Sequence, residues 1–244
     1  MPDAARTHTP VPRQRWRIVF RRDEDARFLA HLDAMKQWER ALRRAGVPVA
    51  QTEGFSPRPR VVFAAPLPLG MLAEADIVDV VLFEPLTVFD LRRRLDANLP
   101  YGFALVDLYD VWLHAPSVAS RLTGATYRID LAGPPDVPVP GEAVRRAVEE
   151  LLAAERLDRR RQKERKVVAY DLRPLIVTLE VAAWDERGGT GSGGGTVRVT
   201  LRHSQDEGTG RPDEIVAAIS EAIPAELAIV RSVRERLILA DDAP

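Results

Sequence analysis

The sequence predicts an α+β fold made of two tandem ferredoxin-like units with antiparallel sheets, each in the order β-α-β-β-α-β. Strand-like and helix-like hydrophobic periods follow one another in this order in the first half, and a similar order recurs in the second. The composition, 45% hydrophobic and 29% charged, is that of a globular protein with a core. We expect a flexible tail at residues 1–13, a first unit at 14–116 and a second unit at 124–240.

In the first unit, alternating residues predict a strand at 16–20, and apolar residues at every third or fourth position predict a helix at 30–45. The segment 47–69 is rich in proline, which cannot donate to a central ladder, so we expect an edge strand or an irregular extended segment. The remaining predicted elements are a strand at 77–83, a helix from 87 to about 99 and a strand at 105–113.

The second unit repeats this order with one additional strand or turn. The predicted strands lie at 126–131, 166–172, 176–184, 196–203 and 227–239. The predicted helices lie at 142 to about 156 and at 212–220, where proline occupies a plausible first helical position. Glycine dominates residues 186–196, so we expect a flexible loop there.

The absence of cysteine excludes several classes of protein. Without cysteine there is no disulfide framework, no thiolate zinc site, no cysteine-ligated iron–sulfur cluster and no cysteine nucleophile in this chain. The four histidines lie far apart in sequence, so we expect no metal site and no cofactor. No apolar run approaches the ~20 residues of a membrane span, and the N-terminus lacks an apolar signal core. We therefore expect a cytoplasmic protein that does not bind membranes.

The strongest candidate binding segment is 53–60, with the sequence EGFSPRPR. Its prolines hold the chain extended, which places Arg58 and Arg60 two residues apart on the same side of a stiff strand. Phe55 adds a flat ring, so the segment suits a phosphate backbone or a carboxylate-rich partner. The alternative is a stiff edge strand whose arginines are solvated.

Three further regions carry candidate residues. The run 156–166 holds seven basic and two acidic residues, which predicts either contact with nucleic acid or an acidic protein, or a solvated helix end. The residues just after it, Asp171 and Arg173, are consistent with a turn locked by an ion pair. His31, two residues before Asp33, is a candidate general base or a packing residue. The acidic group Glu74, Asp76 and Asp79 has no matching metal-loop pattern.

Five stretches resemble a bacterial family of unknown function, the radical-SAM-linked or radical-SAM-associated proteins. They are residues 26–33 (ARFLAHLD), 39–46 (ERALRRAG), 53–59 (EGFSPRP), 67–70 (LPLG) and 165–174 (RKVVAYDLRP). Members of this family are fused to, or encoded beside, a cobalamin-binding radical SAM protein, often near a ribonuclease of the E/G type and ribosomal proteins. The resemblance spans roughly residues 15–240 and implies a separately encoded radical SAM partner. Because this chain has no cysteine, radical cleavage of S-adenosylmethionine must take place on another polypeptide.

The sequence and the resemblance together favour a non-catalytic partner or substrate-binding module for a radical SAM enzyme, acting in RNA or ribosome-related metabolism. RNA or a ribosomal protein is the expected substrate. One alternative is a metal-independent RNA-processing endoribonuclease with His31 as general base, and another is a pure assembly factor. The sequence contains no recognisable catalytic motif, which favours a binding role for the chain alone. The residues expected to bind the substrate or partner are His31, Asp33, Glu53, Phe55, Ser56, Arg58, Arg60, Arg165, Lys166, Asp171 and Arg173.

Overall fold

The computed structural model describes residues 11–135, 137–163, 166–186, 193–204 and 208–240. Its contacts divide the chain between Arg121 and Leu122 into unit 1 and unit 2. Both units combine helices with antiparallel strands, so the predicted α+β class is confirmed. The limits predicted for the tail and the two units stay predictions, and residues 1–10 and 187–192 lie outside the described residues.

Unit 1 has the element order β-α-β-β-α-β. Its elements are β1 (Gln14–Arg22), α1 (His31–Arg44), β2 (Val61–Phe63), β3 (Leu72–Leu82), α2 (Val88–Asp96) and β4 (Phe103–Val111). Strand β1 lies between β4 and β3, and β2 pairs with β3, so the spatial order is β4-β1-β3-β2 with every pair antiparallel. The proline-rich segment accordingly supplies a three-residue edge strand.

One face of the unit 1 sheet carries the main core. The alternating residues Trp16, Ile18 and Phe20 of β1 are buried in a cluster with side chains from both helices. Phe20 packs on Trp38 of α1, with ring centroids 4.8 Å apart. The residues between them on β1, including Arg17, must therefore point to the opposite face of the sheet.

Local sequence explains where the helices of unit 1 begin and end. Thr87 caps α2, because its hydroxyl accepts a hydrogen bond from the Asp90 N–H. Gly46 follows α1 with a φ of 62°, a conformation that favours glycine after a helix. Ala30 precedes α1 without a side-chain cap.

The described residues of unit 2 form two α-helices and seven strands. They are β5 (Leu122–Ala132), α3 (Gly141–Ala153), β6 (Asp158–Lys163), β7 (Lys166–Asp171), β8 (Ile176–Asp185), β9 (Gly194–Ser204), β10 (Gly208–Thr209), α4 (Pro212–Ala222) and β11 (Ala228–Leu239). The spatial order is β11-β5-β9-β8, all antiparallel, and the short β10 also pairs with β9. Strands β6 and β7 form a separate hairpin.

The structure corrects several predicted elements of unit 2. The basic run at 156–166 includes strand β6, whereas its charge had suggested a solvated helix end. Helix α3 ends at Ala153 rather than near residue 156. Strand β9 begins at Gly194, inside the range predicted to be a loop. The additional element predicted in this half corresponds to the β6–β7 hairpin, inserted between α3 and β8.

A candidate anion-binding cavity in unit 1

Buried charges lie on the face of the unit 1 sheet opposite the main core. Arg15 and Arg17 alternate with the core residues of β1, and Arg17 is the direct cross-strand partner of Asp79 on β3. The exposed fractions of Arg15, Arg17 and Asp79 are 6%, 3% and 1%. Charges this deeply buried require partners, because removing them from water is costly.

Asp79 accepts hydrogen bonds from both arginines. Arg15 Nε lies 3.0 Å from Asp79 Oδ2, while Arg17 Nε and Nη2 lie 2.8 and 3.1 Å from Oδ1 and Oδ2. Burial acts to lower the pKa of Arg17, but the hydrogen bonds and charge of Asp79, together with Tyr109, outweigh it and raise that pKa. The Arg17 guanidinium is therefore charged at neutral pH, as arginine side chains generally are in proteins.

The chain segment after β4 covers this cluster. Arg15 Nη1 donates to the Ala115 carbonyl at 2.6 Å, and its Nη2 donates to the Pro116 carbonyl at 3.0 Å. Val118, in a short 3-10 helix (Val118–Arg121), is fully buried. The segment thus fixes the Arg15 guanidinium in position through neutral acceptors.

The cluster carries more positive than negative charge. Within the part of the chain that the structure describes, Asp79 is the only carboxylate that pairs with Arg15 or Arg17. One carboxylate faces two guanidinium groups, which leaves one positive charge uncompensated. In surroundings of low dielectric such a charge attracts an anion strongly.

A cavity of about 450 Å³ opens beside the cluster, entirely within unit 1. Its polar lining residues are Arg15, Thr52, Arg60, Asp79, His114 and Ser117, and its other lining residues are alanine, leucine, proline and valine. Arg60 is half-buried, and its guanidinium has no ion pair among the described residues. The cavity is therefore lined by the Arg15–Asp79 ion pair, by the Arg60 cation and by two hydroxyl groups. These groups suit a phosphate or a carboxylate as the ligand.

The predicted binding segment contributes one wall of this cavity. Thr52 and Arg58 close a loop, since the Thr52 N–H donates to the Arg58 carbonyl at 2.8 Å and Thr52 Oγ1 accepts from the Arg58 N–H at 3.0 Å. Arg60 lines the cavity, whereas Arg58 is exposed and does not line it. The remaining predicted residues, Glu53, Phe55 and Ser56, are exposed in the same loop.

His31 and Asp33 do not line the cavity. They lie in the first turn of α1, where the His31 ring contacts Phe63 edge-on at 5.6 Å. The Asp33 carboxylate pairs with Lys36 at 3.2 Å on the helix surface.

The later predicted residues have structural contacts in unit 2. The Asp171 carboxylate accepts from the N–H groups of Leu157 at 2.8 Å and Arg173 at 3.0 Å. Burial acts to raise the pKa of Asp171, but these two hydrogen bonds and nearby arginines lower it overall. Arg173 donates to the Leu152 carbonyl near the end of α3. Lys166 begins β7, and Arg165 lies outside the described residues.

The basic run is held against α4 by ion pairs. Arg159 pairs with Glu221 at 2.7 Å, and Arg161 pairs with Glu214 at 2.9 Å. Arg161 also lies over the ring of Tyr170, 4.8 Å from its centroid. Burial, together with Glu214, raises the pKa of Tyr170 to about 12. These arginines have local partners, so fewer charges of the run are left for an external ligand.

Sequence reasoning identified Arg60 but missed Arg15 and Arg17. The available signal was Asp79, a single carboxylate inside the apolar run 77–83, which implies a buried charge in need of partners. Arg15 and Arg17, at alternate positions of the apolar strand β1, are the cations that such a buried carboxylate requires.

The described residues contain neither a metal-binding group nor a membrane-spanning helix. Nowhere among them do three histidine, cysteine, aspartate or glutamate side chains gather as metal ligands would. None of the helices within them has both the length and the apolar character needed to span a bilayer.

The fold and the cavity define an α+β protein with a positively charged concave site. The chain belongs to the bacterial family described as "Uncharacterized protein conserved in bacteria (DUF2344)", whose family model matches residues 15–212. No curated protein matches the sequence.

Solved structures resemble the chain at low sequence identity. A chain of a Cbf5-Nop10-Gar1 complex is similar with a TM-score of 0.52 and 10% identity, over 96% of this chain and 51% of that one. A chain of the archaeal box H/ACA sRNP Nop10-Cbf5 complex has a TM-score of 0.45 and 10% identity, over 96% and 50%. A structure titled "An RAMP protein binding different RNA substrates" has a TM-score of 0.23 and 9% identity, over 93% and 100%. The protein spans about half the length of the first two chains, and the first likeness concerns the fold alone.

Proposed function

We propose that this protein is a non-catalytic RNA-binding module whose unit 1 cavity holds a backbone phosphate, and that it presents RNA to a separate radical SAM enzyme. The observation that carries the proposal is the uncompensated charge of Arg15 and Arg17 around Asp79. A phosphodiester supplies the missing negative charge and accepts hydrogen bonds from Arg60.

Exposed aromatic rings favour RNA over an acidic protein as the ligand. Trp112 is 71% exposed, and its ring contacts that of His114, which lines the cavity, at 5.6 Å. Phe55 is fully exposed in the loop that leads to Arg60. Sites for single-stranded nucleic acid combine basic grooves with such rings, on which bases stack.

The proposal of a radical SAM partner rests on the family resemblance and on the lack of cysteine in the sequence. The partner would supply the cysteine-ligated cluster and the chemistry, and this chain would supply a binding surface. We expect the two proteins to co-purify from their native cell.

We also infer that both units are ferredoxin-like. The order β4-β1-β3-β2 in unit 1 and the order β11-β5-β9-β8 in unit 2 support this inference. When the β6–β7 hairpin and the short β10 are left out of the count, the first strand of each unit lies between its last and third strands, and the helices follow the first and third.

The test is binding of a fluorescent single-stranded RNA, measured by anisotropy at two salt concentrations. We expect Arg60→Ala to weaken binding about tenfold or more, because a charge-assisted hydrogen bond is lost. The dependence of affinity on salt should also become shallower, because one phosphate contact fewer releases fewer counterions. The matched control is Arg145→Ala, which removes the same charge from an exposed position on α3.

Equal losses in the two variants would show that only net charge matters and would contradict a site at Arg60. Unchanged binding in Arg60→Ala would also contradict a site at Arg60. Incubation of the RNA without metal, followed by a denaturing gel, separates binding from catalysis. Intact RNA agrees with the proposal, and shortened RNA that depends on His31 would replace it with the endoribonuclease alternative.

A further inference from the structure

A second cavity of about 400 Å³ lies in unit 1 next to the first. It is lined by Arg13, Gln14, Asp110, Val111, Trp112 and Leu113. Leu113 lines both cavities, so the two adjoin. Their lining residues are also neighbours in sequence, since Gln14 precedes Arg15 and Leu113 precedes His114.

Trp112 gives this cavity an open aromatic wall. Two of the other three tryptophans, Trp16 and Trp38, are only 5% and 0% exposed, in the core of the same unit. Large rings are usually buried, so an indole that is 71% exposed beside a cavity is a ready surface for a flat ligand.

Asp110 gives the cavity a fixed hydrogen-bond acceptor. Gln14 Nε2 donates to Asp110 Oδ2 at 2.9 Å, and the Gln14 amide oxygen in turn accepts from the Leu86 N–H at 2.9 Å. This chain of hydrogen bonds orients the carboxylate and leaves it further acceptor capacity. An ionised carboxylate accepts only, so it selects ligands with adjacent N–H donors.

We propose that this second cavity is a nucleobase subsite that prefers guanine. The inference rests on the proposed function, since it assigns the base of an RNA whose phosphate occupies the cavity beside Arg60. The base stacks on Trp112, and its edge donates to Asp110. Guanine is the RNA base whose Watson–Crick edge offers two neighbouring donors, N1–H and the N2 amino group, to one carboxylate. Arg13, whose guanidinium has no ion pair among the described residues, offsets the repulsion between Asp110 and the RNA backbone.

The experiment compares matched single-stranded RNAs that contain either guanine or adenine at their central positions. Wild-type protein should bind the guanine RNA about five- to 100-fold more tightly, the discrimination typical of a bidentate base contact. Asp110→Asn should reduce that preference, and Trp112→Leu should weaken binding of both RNAs about fivefold or more through lost stacking. The controls are Asp107→Asn, on the same strand but outside both cavities, and Phe89→Leu, which replaces another exposed ring of unit 1.

A direct readout of stacking is the tryptophan fluorescence of the intact protein titrated with guanosine 5′-monophosphate. We expect quenching in the wild type that is absent in Trp112→Leu, with circular dichroism confirming that the variant is folded.

Three outcomes would overturn the subsite, and they differ in what they imply for the phosphate cavity. The nucleobase subsite is wrong if the wild type binds RNA and Trp112→Leu binds it equally well. It is also wrong if guanine and adenine RNAs bind alike. In both cases the proposed phosphate site is unaffected. If the wild type binds no RNA, both proposals are wrong.

Discussion

Both units place a pair of arginines around one carboxylate on antiparallel strands, but they balance those charges differently. In unit 1, Arg15 and Arg17 surround Asp79, and all three are almost fully buried. In unit 2, two arginines likewise surround one carboxylate, Glu235 of β11, but that cluster is partly exposed.

The unit 2 cluster is balanced by a second carboxylate. Arg128 lies 3.2 Å and Arg198 lies 2.9 Å from Glu235, and Arg198 also pairs with Glu180 at 3.6 Å. The arginine side chains are 30% and 43% exposed, so water screens their charges. Two cations thus face two anions, and no positive charge is left over among these four residues.

Burial and charge balance, rather than the number of arginines, distinguish the candidate site. Arginine is common in both units, and the longest basic run lies in unit 2, yet its arginines at 159 and 161 have acidic partners on α4. Burial combined with an unbalanced charge beside a cavity is found in unit 1. A buried ion pair is seldom the most stable arrangement, since apolar residues of similar volume often do as well. Stability alone is therefore a weak explanation for the unit 1 cluster, and the proposed ligand would give these charges a function.

The largest expected effect is on the stability of unit 1. Asp79→Asn removes the carboxylate but keeps its shape, and it leaves two buried guanidinium groups without an anion. We expect a loss of about 3–5 kcal/mol in the free energy of unfolding, measured by urea denaturation. High phosphate should restore part of this loss if an anion occupies the adjoining cavity.

The matched substitution in unit 2 is Glu235→Gln. Glu235→Gln removes a carboxylate from a partly exposed cluster, and we expect a loss of about 1 kcal/mol or less, with no effect of phosphate. Similar losses in the two variants would contradict the distinction between the clusters.

A smaller effect concerns pH and the hairpin of unit 2. Burial and Glu214 raise the pKa of Tyr170 to about 12, so its phenol stays protonated in the folded state after it has ionised in the unfolded state. The stability that this difference provides is complete below the unfolded pKa of about 10 and is lost as the pH rises through the folded pKa. Between these values the free energy of unfolding should fall more steeply in the wild type than in Tyr170→Phe. Identical slopes would indicate that Tyr170 titrates as an exposed tyrosine.

Elements with a strong hydrophobic period were predicted well from sequence. Helix α1, predicted at 30–45, spans His31–Arg44 because residues such as Trp38 and Leu42 mark its buried face. Strand β3 was predicted to begin at residue 77 but begins at Leu72, where Glu74 interrupts the apolar pattern. Strand β6 was missed because its charged residues show no such period, and its pairing with β7 and its contacts with α4 are tertiary.

The candidate site was predicted only where local chain geometry determines it. Because the prolines at 57 and 59 hold the chain extended, the sequence predicted Arg60 as a cation in a fixed position. The burial of Arg15 depends on the segment after β4, about 100 residues away in sequence, whose carbonyls accept its hydrogen bonds. No local pattern reveals that contact, and the sequence indicates buried arginines on β1 only indirectly, through the lone carboxylate Asp79 of β3.

Ultraviolet crosslinking of RNA to the wild-type chain, followed by mass spectrometry, would show directly which unit holds bound RNA. If RNA occupies the unbalanced site, crosslinked peptides should contain residues 52–62 and 110–117 of unit 1, and phosphate competition should reduce them. Crosslinks concentrated on the β6–β7 hairpin or around Arg198 of unit 2 would contradict RNA binding at the unit 1 cavity and would show that exposed basic residues determine where RNA binds.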